Sequence, residues 1–357
     1  MRLGWRGALG ILLSVALLWW AFHDIAWGQV AVEIRRANLW LLLLSALAAT
    51  GIFPLRAVRW RVILDPVEPN LPFGPLWRAT AIGMMVSNVI PARAGELARA
   101  YALSRGQEAE RVPFSTAFAS LAVDRVFDAL IVLMLMFAAM LMPSFPAGAA
   151  GKVAGYAIGG AVFVAAVVIV LYAIVFLPRQ IISIFELVAR RVAPRFEERG
   201  RAILVKFANG LSVLRSPRRF ALVFFWALLH WLLNALAFWL GFFAVGVRAP
   251  FGMALFAQGL IAIGVAFPSS PGFFGTFEAL GKFALGLYGI PQAPAVTWAI
   301  GFHLLSFIPI TLIGAYYFAR AGLSFSELSR AGSGGSPPND EPPAELPARQ
   351  RTNPPAA

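Results

Sequence analysis

Asn88-Val89-Ile90-Pro91-Ala92-Arg93-Ala94-Gly95-Glu96 and Pro268-Ser269-Ser270-Pro271-Gly272-Phe273-Phe274-Gly275-Thr276-Phe277-Glu278 interrupt two long apolar stretches at matching places in the two halves of the chain. A helix broken by proline and glycine must satisfy its freed backbone groups elsewhere. In a bilayer this is tolerated only where protein or a watery cavity supplies partners, and paired breaks of this kind mark binding sites in transporters. Pro91 and Gly95 make the first break, Pro268 and Pro271 the second.

The rest of the chain explains why a bilayer is the right frame. Of 357 residues, 59% are hydrophobic and 13% charged, with 11 Trp, and the mean hydropathy is +0.74. A water-soluble domain cannot hide that much apolar surface. Apolar runs near the roughly 20 residues a bilayer requires recur at Gly7 to Trp27, Leu39 to Val58, Val153 to Leu177, Phe220 to Val245 and Pro294 to Phe318. The first run is too long for a cleaved signal peptide, ends in tryptophans and lacks a small-x-small cleavage site.

The net charge of +13 does not point to nucleic acid, because the cations cluster in loops. Ten Lys and Arg against three Glu lie between Arg179 and Arg219, and Arg56, Arg59 and Arg61 close the second span. Under the positive-inside rule these read as cytoplasmic flanks that also attract anionic headgroups. The expected architecture is an all-α polytopic membrane protein with six full spans and two re-entrant broken helices, about 73–104 and 251–287, in an inverted repeat. Both termini are then cytoplasmic. Eight ordinary kinked spans are the alternative. Within a transmembrane domain of residues 1–322, the segment 178–219 carries apolar residues at helical spacing (Ile182, Phe185, Val188; Ile203, Phe207, Leu211, Leu214) and reads as amphipathic helix at the interface. Residues 323–357, rich in Ser, Gly and Pro, are expected to be a disordered tail.

Charges inside the spans are the candidate functional groups, since each costs about 2.5–3.5 kcal/mol at a helix centre unless paired. Arg93, Glu96 and Arg99 recur every third residue and share a helical face. Either that helix surfaces at the interface, or Arg93 and Arg99 receive a phosphate while Glu96 positions them. Asp124, Arg125 and Asp128 can face one groove and pair with each other, as a bundle lock or as exchange partners of Arg93 and Arg99. In the second break, the Ser270 and Thr276 hydroxyls and the Gly272–Gly275 turn make either a tight turn or an anion seat at a helix start. Glu278 and Lys282 follow, spaced to pair along that helix. His230 and Asn234 are placed to hydrogen-bond, and His303 stands alone with Ser306 one turn on. With no cysteine, no HExxH, P-loop or dinucleotide fingerprint and no catalytic order of Ser, His and Asp, neither a metal nor a cofactor is expected, and the sequence leans away from an enzyme without deciding it.

The pattern Asn88-x-x-Pro91-x-Arg93-x-Gly95-Glu96-x-x-Arg99-x-Tyr101, then Asp124-Arg125-x-x-Asp128, then Pro268-x-x-Pro271-Gly272-x-x-Gly275-x-x-Glu278, resembles the lysylphosphatidylglycerol synthase transmembrane-domain family over residues 1 to about 322. It is similar to the flippase half of the multiple peptide resistance factor, without the aminoacyltransferase domain. Two positions depart: the family usually has Glu at 124, and Pro-Gly-Gly-x-Gly where this chain has Pro271-Gly272-Phe273-Phe274-Gly275. The resemblance implies a flippase-like protein of a bacterial inner membrane. Its expected partners are membrane lipids, a phospholipid or an isoprenyl phosphate, whose headgroup would meet Arg93, Arg99, Arg125, Ser270, Gly272, Gly275 and Thr276. A membrane-embedded transferase using Asp124, Asp128 or Glu96 as base, and a non-transporting subunit of an envelope complex, remain as alternatives. A homo-oligomer is left open.

Overall fold

The architecture comes from a computed structural model. It describes residues 27–90, 94–106, 112–146, 177–192, 216–266 and 271–324, with isolated positions 19, 159, 162–163, 165–166, 169–170, 173, 176, 197–198, 201 and 327–328. The expectations for Pro91, Arg93, Pro268 and Ser270 fall outside these residues. So do those for the first span up to residue 26, most of 153–176, the segment 203–214 and the tail beyond 328.

The described residues are helical, with no strand among them. They form α1 (Trp27–Arg36), α2 (Leu39–Leu64), α3 (Phe73–Val89), α4 (Ala94–Ser104), α5 (Phe114–Met140), α6 (Pro178–Val192), α7 (Pro217–Ala244) and α8 (Phe251–Gly264). A 3-10 turn (Pro271–Phe273), α9 (Thr276–Leu287) and α10 (Gln292–Arg320) complete them. Among these, α2, α7 and α10 are long and apolar enough to cross a bilayer. Trp40, Leu43, Leu44 and Leu47 on α2 leave their side chains exposed, the placement of lipid-facing residues rather than of a soluble surface. Helix α5 has the length, but Asp124, Arg125 and Asp128 interrupt its apolar run. Helix α1 was not foreseen, and α2 continues six residues past the expected Val58.

Each broken stretch is a helix pair that folds back on itself, α3 with α4 and α8 with α9. Glycine permits the close approach. A Cβ on Gly83 would stand 2.8 Å from both the Gly95 carbonyl oxygen and the Arg99 Cβ, and one on Gly95 would collide with Ser87 and the Gly83 carbonyl. Gly95→Ala should therefore cost about 1–3 kcal/mol through overpacking, seen as a lower unfolding temperature in detergent. Gly286→Ala, where nothing lies within 4 Å, is the matched control and should be neutral or mildly stabilising.

Packing between the halves has a regular plan. Helices α2 and α7 run antiparallel along their length: Asn38 N–H donates to the Ala244 carbonyl at 2.8 Å, Ser45 Oγ to the Ala237 carbonyl at 2.7 Å, and Arg219 pairs with Asp65 at 3.0 Å. Helix α3 packs on α10, and α8 on α5; α4 packs on α5, and α9 on α10. Exchanging α2–α5 for α7–α10 leaves this set of contacts unchanged, apart from those of α1 and the 3-10 turn. An aromatic cluster fills the second half, with Phe238 against Phe302 at 4.6 Å and Phe242 against Trp298 at 4.7 Å between ring centroids.

Candidate functional site

Two arginines counted above as cytoplasmic flank are in fact buried. Arg56 and Arg59 lie on α2 facing α5, while Arg61 is exposed. Arg59, 0% exposed, places Nη2 2.5 Å from Asp124 Oδ1 and Nη1 2.8 Å from Asp128 Oδ1. Arg99 of α4 reaches the other oxygen of Asp124 at 3.2 Å, and its guanidinium lies 4.1 Å above the Trp60 ring. Trp60 Nε1 in turn donates to Ser120 Oγ at 2.7 Å. Burial inside a bundle is tolerable only because each carboxylate meets several guanidiniums, so Arg56 and Arg59 pair within the bundle instead of lying in a loop.

Glu96 does not join Arg99 in the way its spacing suggested. It pairs with Arg125 of α5, and Arg125 also reaches Asp128 Oδ2 at 3.4 Å, the contact within α5 that the spacing did foretell. Among the described residues the cluster thus holds four guanidiniums (Arg56, Arg59, Arg99, Arg125) against three carboxylates (Glu96, Asp124, Asp128), an excess of one positive charge. Arg56 is the most loosely held: its nearest carboxylate oxygens are 3.4 Å (Asp128) and 3.7 Å (Asp124) away, and its Nε has no hydrogen-bond partner.

Arg56 also opens onto a cavity of about 230 Å³ between the halves. Asn88 of α3, His230 and Asn234 of α7, Gln258 of α8, and His303 and Ser306 of α10 supply its polar lining, beside Phe53, Phe273, Phe277, Phe302 and Phe307. Asn234 Nδ2 donates to Gln258 Oε1 at 3.0 Å instead of meeting His230. His230 stacks on Trp231, whose Nε1 donates to Asp128 Oδ1 at 3.1 Å. His230 Nδ1 and Gln258 Nε2, like Arg56 Nε, are buried without a hydrogen-bond partner. His230 Nδ1 lies 3.7 Å from Asp128 Oδ1, and unpartnered buried atoms on three residues of one cavity lining are uncommon in a folded interior.

The second break forms the opposite wall. Gly272 lines the cavity at φ +65, and Phe273 follows at φ +63, in the left-handed region that a bulky residue occupies only at a cost of about 1–3 kcal/mol. This is the position where the resembling family carries glycine. Gly275, at φ +84, caps α9, and its N–H donates to Glu278 Oε2 at 2.7 Å. Thr276 is buried, with its hydroxyl unpartnered, and does not line the cavity. Glu278 Oε1 lies 2.5 Å from His303 Nδ1, so the histidine read as solitary is engaged. Lys282 is half-buried one turn further along α9.

The two halves repeat this motif. Glu96 and Glu278 each stand two residues past the first residue of their short helix (Ala94, Thr276). Their partners Arg125 and His303 each stand eleven past the first residue of the next long helix (Phe114, Gln292). Of the residues expected at a headgroup, Gly272 alone among the described ones lines the cavity; Arg99 and Arg125 lie in the ion-pair cluster behind it. The signal for Arg56 and Arg59 was present in the sequence as an i, i+3 pair of cations matching the i, i+4 carboxylates Asp124 and Asp128.

Known membrane proteins resemble this chain over most of its length. A "UPF0104 membrane protein" of Methanothermobacter thermautotrophicus is 24% identical over 339 residues, covering 90% of this chain and 94% of the relative. A second of the same name and organism is 27% identical over 322 residues, covering 82% and 88%. "Glycosyltransferase AglD" of Haloferax volcanii is 35% identical over 121 residues, which is 34% of this chain and 19% of AglD. No solved structure matches. The family described as "Lysylphosphatidylglycerol synthase TM region" matches residues 7–314, and the chain, an integral membrane protein, belongs to that family.

Proposed function

We propose that the protein moves a lipid with an anionic, phosphate-bearing headgroup between leaflets, the headgroup occupying the cavity between the halves while the acyl chains stay in the bilayer. The observation that carries this reading is Arg56, held by Asp128 and Asp124 only at 3.4 Å and 3.7 Å, on one cavity with His230 and Gln258. A phosphate in the cavity would accept hydrogen bonds from the Arg56 guanidinium and offset the excess positive charge. The cavity, at about 230 Å³, suits a headgroup rather than a whole lipid.

In this reading Arg99 and Arg125 hold the carboxylates that orient Arg59 and Arg56, and Arg93 is a further headgroup contact. The antiparallel relation of α2 and α7 supports an inverted repeat with its axis in the membrane plane, so that rocking of the halves would expose the cavity alternately to each side. The two breaks are then re-entrant, in a cytoplasmic membrane with both termini inside.

Reconstituted into liposomes, the protein should accelerate leaflet exchange of labelled phosphatidylglycerol or of an isoprenyl phosphate over protein-free vesicles. No acceleration with any anionic or zwitterionic lipid would overturn the proposal. The partial match to AglD favours a second reading, a transferase acting on a lipid phosphate. Product formation from a labelled sugar donor would support it, although Asp124 and Asp128 are saturated by arginine and poorly placed as free bases.

A further inference from the structure

The second break fixes a proton count. His303 is buried on α10 and offers one ring nitrogen to each of two acceptors: Nε2 lies 2.8 Å from the Gly272 carbonyl oxygen and Nδ1 lies 2.5 Å from Glu278 Oε1. A carbonyl oxygen only accepts, so Nε2 must carry a proton. An ionised carboxylate also only accepts, so the Nδ1 contact needs a second proton, on Nδ1 or on Oε1. The other oxygen, Oε2, is already taken by the Gly275 N–H. A neutral histidine beside an ionised glutamate is therefore one proton short of this geometry. Histidinium with carboxylate, or histidine with carboxylic acid, both satisfy it, and both leave the pair neutral.

We propose that Glu278 and His303 form a proton-binding site that couples the second broken segment to proton movement across the membrane. The coupling rests on the transport reading above; the proton binding does not. Phe274 and Phe277 cover the imidazole, each with its ring centroid 4.6 Å away, while His303 and Gly272 line the cavity, which is the proton's route.

Release of one proton to the cavity leaves an ionised Glu278 and a histidine with a single ring N–H. That N–H can serve Glu278 or Gly272 but not both. When it stays on Nδ1, the Gly272 carbonyl loses its donor and the turn Pro271–Phe273, held at positive φ at Gly272 and Phe273, is free to move. The pair then carries one negative charge on Glu278, behind His303 in the wall of the cavity that Arg56 of α2 and His230 of α7 also line, where α3 and α8 present the non-titrating Asn88 and Gln258; Lys282 lies one turn along α9. A deprotonated pair competes with the headgroup for the charge of Arg56, and a protonated pair does not. Proton and anion accordingly favour each other's binding.

Full-length protein in phosphatidylglycerol-containing nanodiscs, with ring-15N histidine, should show one histidine with two ring N–H groups, or else a protonated carboxyl band in the infrared. His303→Gln assigns the first signal, and Glu278→Gln should abolish whichever is present. A neutral His303 beside an ionised Glu278 throughout about pH 5 to 8 would overturn the site.

In proteoliposomes, an imposed pH gradient should change wild-type lipid exchange about fivefold or more. The ratio of rates with and without the gradient should fall to one in Glu278→Gln and in His303→Gln, so either variant suffices if the other does not fold. Wild-type exchange indifferent to the gradient would overturn the coupling. Absence of any wild-type exchange would count against the transport reading instead, and the spectroscopic proton count would still decide the site.

Discussion

Asp124→Asn will be among the most destabilising substitutions in the chain, at about 3–5 kcal/mol. Asp124 is 0% exposed and meets Arg59, Arg99 and, at 3.7 Å, Arg56. Asparagine keeps the shape but removes the charge, so four guanidiniums would face two carboxylates inside the bundle. Thermal unfolding in detergent should show a clear drop in transition temperature. The double variant Arg59→Leu with Asp124→Leu should recover part of the loss, because it removes one charge of each sign and keeps the net excess at one, although Arg99 still loses its Asp124 partner. A coupling energy above about 1 kcal/mol in the cycle is the expected signature. A single variant as stable as the wild type would mean that water screens the cluster.

Arg56→Gln should behave in the opposite way, sparing the fold and removing the function. It deletes the excess charge and leaves three guanidiniums for three carboxylates, so stability should change by about 1 kcal/mol or less. The loss of a charge-assisted hydrogen bond to a phosphate, about 1.5–3 kcal/mol, predicts a roughly ten- to hundredfold fall in lipid exchange. Arg56→Lys retains the charge without the planar fork and should recover only part of the activity. Arg59→Gln, three residues away, should resemble Asp124→Asn. Wild-type exchange by a well-folded Arg56→Gln would remove Arg56 from the site.

These contrasts show why the site was only half legible. Hydropathy exposed the long helices because length and apolarity are properties of a segment by itself, and α7 and α10 fall within three residues of the expected bounds at each end. The two breaks were visible because proline and glycine act on their own backbone. Arg56 and Arg59 were misread because a charge near the end of an apolar run looks the same whether it surfaces or turns inward. What decides is a carboxylate 65 or 72 residues away. His303 was read as alone for the same reason, since Glu278 lies 25 residues earlier, across a break in the chain. Phe273 was legible as a departure from the family pattern, while the positive φ that gives it meaning is a property of the folded turn.

By itself, then, the sequence determined that this is a helical membrane protein whose two halves are broken at Pro91–Gly95 and Pro268–Gly275, since backbone chemistry and apolar length act locally. The tertiary structure alone decided which charges pair, leaving Arg56 the most loosely held of the described cluster and on the cavity, and which acceptors face His303. Charge balance and proton count depend on distances between segments far apart in the chain, and no spacing along one helix can supply them.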